Sequence, residues 1–279
     1  MKKSSSILIN KKTITAIAIG GFDGMHLAHQ ELFKNLGENG GIVAIESGYA
    51  NITPKTFRQE YTNYPIYYYL LENIKHLSGE SFITLLKEEF PNLKKIVVGF
   101  DFCFGKNRKH CTVHLNELFK GEVQVIDEVK IEDIAVHSRV IRKFIKSGDI
   151  TTANKLLGKK YKIFGKQIKG QGLGSKSFVP TINLLVNDFI LPNEGVYATK
   201  TIINEKEYNS VTFLGHRVTT DGSYAVETHI LDQNITNRYS IVQIKFFEKI
   251  RDNQKFESFE ELKEQIEKDI NKAKKLFSI

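Results

Sequence analysis

The stretch Ile17-Ala18-Ile19-Gly20-Gly21-Phe22-Asp23-Gly24-Met25-His26-Leu27-Ala28-His29 constrains the fold of this chain more than any other. Thr13 to Ile19 are β-branched or apolar, as a strand buried on both faces requires. Gly20, Gly21 and Gly24 let the backbone turn sharply and come close to a ligand. A helix from Leu27 to Leu36 then points its unpaired N–H groups and positive dipole end back at the turn. His26 and His29 share one face of that helix start, where two imidazoles can donate to phosphoryl oxygens and stabilise charge as a bond breaks. The spacing is neither the dinucleotide G-x-G-x-x-G nor the P-loop G-x-x-x-x-G-K-[ST]. An HxxH zinc site would need further ligands, and no Cys or His cluster is near in sequence. The plain alternative is a capped helix with two surface histidines.

At 279 residues the chain has room for two ordinary domains. Its 41% hydrophobic and 26% charged residues are those of a soluble globular protein, and no apolar run approaches the ~18 residues of a membrane helix. Met1 to Ser6 carry charge but no apolar core for a signal peptide. Cys103 and Cys111, the only cysteines, make neither a disulfide framework nor a zinc ribbon, so a reducing cytoplasm is expected. The net charge of +8 comes from scattered lysines, not a basic block interleaved with aromatics. Polyphosphate substrates account for it most economically, with nucleic-acid binding a minor alternative.

In chain order, Ile42 to Ile45 reads as a second buried strand, which with the first makes a βαβ unit and starts a parallel sheet. Ligands of such sheets lie beyond the carboxyl ends of the strands. Residues 46–62 read as an irregular polar loop, and Pro65 followed by Tyr67 to Leu71 as a helix. Another helix opens at Ser81 and stops before Pro91. Lys95 to Gly105 is a strand running into a Gly/Asp/Phe loop, where Phe102 and Phe104 can be core and Asp101 a turn cap. Glu122 to Ile126 reads as the next strand. Ser138 then suits a helix cap, and Arg142, one turn on, can either grip phosphates bidentately or stand as a solvated charge. A short helix from Thr151 ends with Gly158 as its C-cap, which sets the domain boundary: residues 1–158 and 159–279.

From Lys159 onward helical periodicity gives way to about six short strands with turns between them, the pattern of a small closed barrel, followed by a helix from Ser258. The expected fold class is therefore α/β: an amino-terminal, Rossmann-like parallel-sheet domain and a carboxyl-terminal six-stranded antiparallel β-barrel with a terminal helix. Gly170, Gly172 and Gly174 give a loop able to wrap phosphates. In the following Pro180-Thr181-Ile182-Asn183, Thr181 and Asn183 offer hard oxygen donors on one face, suited to Mg²⁺. Glu227 is a carboxylate inside the strand-like run Val226 to Asp232, with His229 on the same face by parity.

These motifs together resemble the bacterial bifunctional riboflavin kinase/FMN adenylyltransferases, or FAD synthetases, over nearly the whole chain. Residues 20–29 resemble the signature G-x-F-D-G-x-H-x-G-H, with Ala28 in place of the glycine between the histidines. Residues 97–105 resemble V-V-G-x-D-F-x-F-G, and Ser138, Ile141 and Arg142 fit S-S-T-x-I-R. Gly170, Gly174, Pro180, Thr181 and Asn183 match the kinase motif ending P-T-A-N; Ser175, Ser177, Phe178 and Val179 depart from it. Val226 to Asp232 resembles V-E-x-H-I-L-D, and residues 250–256 resemble I-R-x-x-x-K-F. No counterpart of the family's T-F-D-P-H-P segment aligns after the second strand.

The resemblance implies that residues 159–279 phosphorylate riboflavin to FMN and residues 1–158 adenylylate FMN to FAD, with ATP as co-substrate of both and pyrophosphate released. It implies roles for Gly21, Phe22, Asp23, Gly24, Asp101, Phe104, Gly105 and Ser138 around ATP, with His26, His29 and Arg142 acting on the phosphates. It makes Gly170 and Gly174 part of the kinase nucleotide loop, Thr181 and Asn183 the Mg²⁺ ligands, Glu227 the general base and Arg251 a contact of the flavin or a phosphate. The competing readings are a chain with only one activity retained, and a flavin-responsive RNA-binding regulator without turnover.

Overall fold

The computed structural model describes residues 10–169, 179–217, 222–231, 233 and 239–279. The chain forms two compact units, divided between Ser138 and Arg139.

The first unit opens with a 3-10 helix (Lys11–Thr13), then β1 (Ala16–Gly20), α1 (Leu27–Phe33), β2 (Gly40–Glu46), a second 3-10 helix (Lys55–Tyr61) and β3 (Ile66–Leu70). Next come α2 (Leu71–Ile74), α3 (Gly79–Glu89), β4 (Lys95–Gly99) and the small pair β5 (Cys103–Phe104) and β6 (His110–Cys111). It continues through α4 (Thr112–Leu118), β7 (Glu122–Ile126), β8 (Lys130–Ile131) and β9 (Ile134–Ala135) to the start of α5 (Ser138–Ser147). The main sheet is parallel throughout, in the order β3-β2-β1-β4-β7. Its central strand separates two cores by strict alternation. Ile17 and Ile19 meet Phe82, Leu86 and Phe90 on one side, while Ala16 and Ala18 meet Phe22, Met25 and Phe33 on the other. The alanines leave room on the α1 side for the bulky residues of the glycine-rich turn.

The tyrosine run corrects one expectation. Residues 66–70 form the edge strand β3, not a helix: Val43 stands opposite Tyr67 and Ile45 opposite Tyr69. The Ile42 N–H donates to the Pro65 carbonyl at 2.9 Å, so the proline opens the strand where its missing donor is not needed. Aromatic and β-branched residues suit this half-buried pleated edge, and Tyr67 packs edge-on against Phe90 with ring centroids 5.1 Å apart.

The second unit holds the rest of α5, then α6 (Ile150–Leu157), which ends on Gly158 at φ +69°. Strands β10 (Lys162–Ile168), β11 (Ile182–Leu185), β12 (Gly195–Ile203), β13 (Lys206–His216), β14 (Tyr224–Ile230) and β15 (Val242–Asp252) follow, then α7 (Phe259–Phe277). The strands close into an antiparallel barrel in the order β10-β11-β14-β13-β12-β15. Asn154 of α6 docks on it, donating to the Phe246 carbonyl at 3.0 Å and accepting from the Tyr161 N–H at 2.6 Å. Val196, Ala198, Val211 and Ile250 pack with Ala273, Ile270 and Phe277 of α7 on the outer face. Alternation therefore turns Thr199, Thr201, Ser210, Thr212 and Thr228 into the interior, where all five are fully buried. Their hydroxyls close a ring: 201 to 210, 210 to 199, 199 to 212, 212 to 228 and 228 to 201, each link between 2.7 and 3.0 Å.

Candidate functional site

At the carboxyl end of β1 the glycine-rich turn passes through left-handed backbone at Phe22 (φ +50°), Gly24 (+89°) and Met25 (+44°). A Cβ on Gly20 would stand 3.1 Å from the Phe22 ring, so glycine there makes space for the aromatic. His26 is buried and caps α1: its Nδ1 accepts from the His29 N–H at 3.4 Å. The Ser138 hydroxyl donates to the Asp23 carbonyl at 2.7 Å and lies 3.2 Å from His26 Nε2. With the serine proton spent on Asp23 and Nδ1 an acceptor, the neutral imidazole carries its proton on Nε2 and donates to Ser138. Both ring nitrogens of His26 are thus engaged within the protein. His29, half-buried, stacks on it with centroids 3.5 Å apart.

The Asp23 side chain holds backbone. Its carboxylate accepts the backbone N–H groups of Asn51, Ile52 and Thr53 at 3.2, 3.0 and 2.9 Å, pinning the segment after β2 beside the turn. Arg58, fully buried, completes the anchor: its Nε donates to the Phe22 carbonyl at 3.2 Å and its Nη1 pairs with Glu46. On the neighbouring strand end, Phe104 is core, stacked on Phe102 at 5.6 Å, while Asp101 is exposed. Gly105 sits at φ +73°, where a Cβ would meet His110 Nδ1 at 2.8 Å. Ser138 is the first residue of α5, and Arg142 lies one turn further along that helix, in the second unit.

The second cluster is on the barrel. Asn183 and Glu227 are direct cross-strand partners on β11 and β14, so their side chains leave the sheet on one face. Thr228 points inward, so Glu227 points outward. The Arg217 guanidinium joins the pair: Nε and Nη2 donate to Glu227 Oε1 at 2.8 and 2.5 Å, and Nη2 donates to Asn183 Oδ1 at 2.8 Å. Thr181 is exposed and precedes β11 by one residue, and His229 Nδ1 lies 2.8 Å from the Pro180 carbonyl. On the rim, Glu194 accepts from Asn253 and lies 2.8 Å from His216 Nδ1, contacts that hold its carboxyl below the usual range. The expected loop glycines Gly170 and Gly174 lie outside the described residues. Arg251 makes a forked ion pair with buried Asp269, Nε to both oxygens at 3.0 Å, which ties β15 to α7.

Two family models match this chain: riboflavin kinase over residues 157–277 and FAD synthetase over residues 52–140. The bifunctional riboflavin kinase/FMN adenylyltransferase of Haemophilus influenzae is 30% identical over 94% of both chains. That of Bacillus subtilis is 29% identical over 95% of this chain and 93% of its own. This chain belongs to the bifunctional riboflavin kinase/FMN adenylyltransferase family. A crystal structure described as a macrolide-efflux protein from Streptococcus pneumoniae shares the fold, with a TM-score of 0.82, 26% identity and 92% of each chain covered. Among the described residues of this chain, no helix is long and apolar enough to cross a membrane.

Within the family frame, sequence reasoning missed two arginines. Arg58 lies in the stretch read as an irregular loop, and nothing in its neighbours marks it as buried. Arg217 follows Gly215-His216 at a strand end, a position that also suits a solvated charge. The cue for Arg217 is spatial: it appears only when β11, β13 and β14 are laid side by side. Among the described residues no group of three or more His, Cys, Asp or Glu side chains could hold a metal ion.

Proposed function

We propose that this chain carries out both steps of the family reaction at two separate sites, with residues 159–279 making FMN and residues 1–158 converting it to FAD. The kinase and adenylyltransferase activities both take ATP as co-substrate. The observation that carries the assignment is the cross-strand pairing of Asn183 with Glu227, which brings an amide oxygen and a carboxylate to one point on the barrel.

In the first step Glu227 accepts the proton of the riboflavin primary hydroxyl as that oxygen bonds to the γ-phosphorus of ATP and ADP leaves. Thr181 and Asn183 are the residues to hold Mg²⁺: two neutral hard oxygens leave most of the coordination shell to phosphates and water, which this ion favours. Held there, Mg²⁺ would supply charge neutralisation on the transferring phosphate. Gly170 and Gly174 belong to the nucleotide loop of this site.

In the second step an FMN phosphate oxygen attacks the α-phosphorus of ATP and pyrophosphate leaves. That oxygen is already anionic, so the site needs position and charge stabilisation, not a base. His29 and Arg142 are assigned to the phosphates, with His26 holding His29 through their stacked rings and the α1 cap. Gly21, Phe22 and Gly24 shape the turn around ATP, with Asp101 after β4, Gly105 after β5 and Ser138 at the start of α5. Asp23 and Phe104 serve by holding the backbone. Arg251 serves the flavin side through its grip on α7. The free thiols Cys103 and Cys111 accord with work in a reducing cytoplasm.

Purified protein with riboflavin, Mg²⁺ and ATP should yield both FMN and FAD on chromatography. Glu227→Ala should abolish FMN formation and leave FMN-to-FAD conversion, and His29→Ala should do the reverse. Loss of both activities in both folded mutants would refute the two-site assignment.

A further inference from the structure

Arg217 sits where the β13–β14 hairpin leaves the barrel, and both its ends are fixed. Its N–H donates to the Ser223 carbonyl at 3.0 Å, its own carbonyl accepts from Gly222 at 3.1 Å, and Nη1 donates to the Ser223 hydroxyl at 2.7 Å. From that anchor the guanidinium reaches Glu227 and Asn183 together. The two side chains of the ion pair are only 18% and 23% exposed, so solvent screens the contact weakly. Both donors to Glu227 go to the same oxygen, Oε1; among the described residues Oε2 takes no hydrogen bond.

We propose that Arg217 is a positioning residue for phosphoryl transfer to the flavin hydroxyl: its fork locks Glu227 so that Oε2 takes the proton, and sets the Asn183 amide oxygen beside it. The proposal rests on the assignment of Glu227 as the base. A glutamate on the outer face of a strand has three rotatable bonds and, unpaired, samples several rotamers. A base acts only within hydrogen-bond reach of its proton. What Arg217 contributes is geometry. An ammonium in the place of Nη2 can meet both acceptors, but only the planar fork adds Nε as a second donor to Oε1 and Nη1 as an anchor on the Ser223 hydroxyl, which together fix its orientation. The same contact fixes Asn183: with Nη2 on Oδ1, one lone pair of that oxygen remains for a cation.

The test uses the full chain and measures FMN formation from riboflavin and Mg·ATP in wild type, R217A, R217K, E227Q and the double variant R217A/E227Q. Misplacing a reacting group by about 1 Å costs on the order of a hundredfold, so R217A should lower kcat roughly 10- to 100-fold with the riboflavin KM little changed. R217K should recover only part of this. Free guanidinium ion, at concentrations below those that unfold the protein, should restore part of the R217A rate and none in R217A/E227Q, because it acts through Glu227. A wild-type kcat in R217A, full activity in R217K, or equal guanidinium rescue with and without Glu227 would each overturn the positioning role. The assignment beneath it fails separately: if wild type makes FMN and E227Q makes it equally fast, Glu227 is not the base and the proposal falls with it.

Discussion

The hydroxyl ring inside the barrel permits a quantitative test of how this fold tolerates a polar interior. Thr201 donates to Ser210, and the remaining links run head to tail, so each of the five hydroxyls donates once and accepts once. Thr201→Val replaces a hydroxyl by a methyl of similar size and opens no cavity. It strands the Thr228 O–H, whose acceptor is lost, and removes the donor to Ser210. A stranded buried donor costs about 1–3 kcal/mol, and the added methyl returns under about 1 kcal/mol, for a net loss of roughly 1–2 kcal/mol. In a unit of this size that lowers Tm by roughly 2–8 °C. Replacing the whole ring at once, with valine at 199, 201, 212 and 228 and alanine at 210, removes donors and acceptors together and should cost less than the sum of the five single changes. Thermal and urea unfolding, followed by a probe in the barrel, measures both. An unchanged Thr201→Val variant, or a fivefold variant losing the full sum, would refute the reasoning.

Other outcomes follow from single contacts. Burial lowers the Lys159 pKa to about 7 from the ordinary 10.5, so between these values the unfolded chain holds a proton that the folded chain lacks. Stability of the barrel unit should therefore rise with pH across that window, and urea midpoints for Lys159→Met should show a smaller rise. Arg251→Ala leaves Asp269 buried without its ion-pair partner, a loss of about 3–5 kcal/mol that should appear as faster amide exchange along α7. Asp23→Asn gives up the acceptor for the Asn51 N–H and loosens residues 46–62, so limited proteolysis should cut there first and FAD formation should fall while FMN formation persists.

The first strand, its glycine turn and the helix start at Leu27 were legible because each depends on local chemistry: β-branched residues, φ-permissive glycines and helical residues directly after them. The barrel was legible for a similar reason, since turns recur between short alternating runs. The tyrosine run was misread because a proline in front of aromatics suits either a helix start or an edge strand, and only a free strand edge at β2 decides between them. Asp23 carried a motif position but not its partners, which lie 28 to 30 residues away.

Sequence alone thus determined which chemistries the chain can host: a phosphate-facing strand–turn–helix, oxygen donors at Thr181 and Asn183, and a carboxylate at Glu227. Tertiary structure alone decided which atoms are left to perform them. It engaged both nitrogens of His26, turned Asp23 to the backbone, committed Arg251 to Asp269 and set Arg217 across Glu227 and Asn183. Those outcomes depend on which strands become neighbours and in what register, and pairing between residues far apart in the chain leaves no mark in the local pattern.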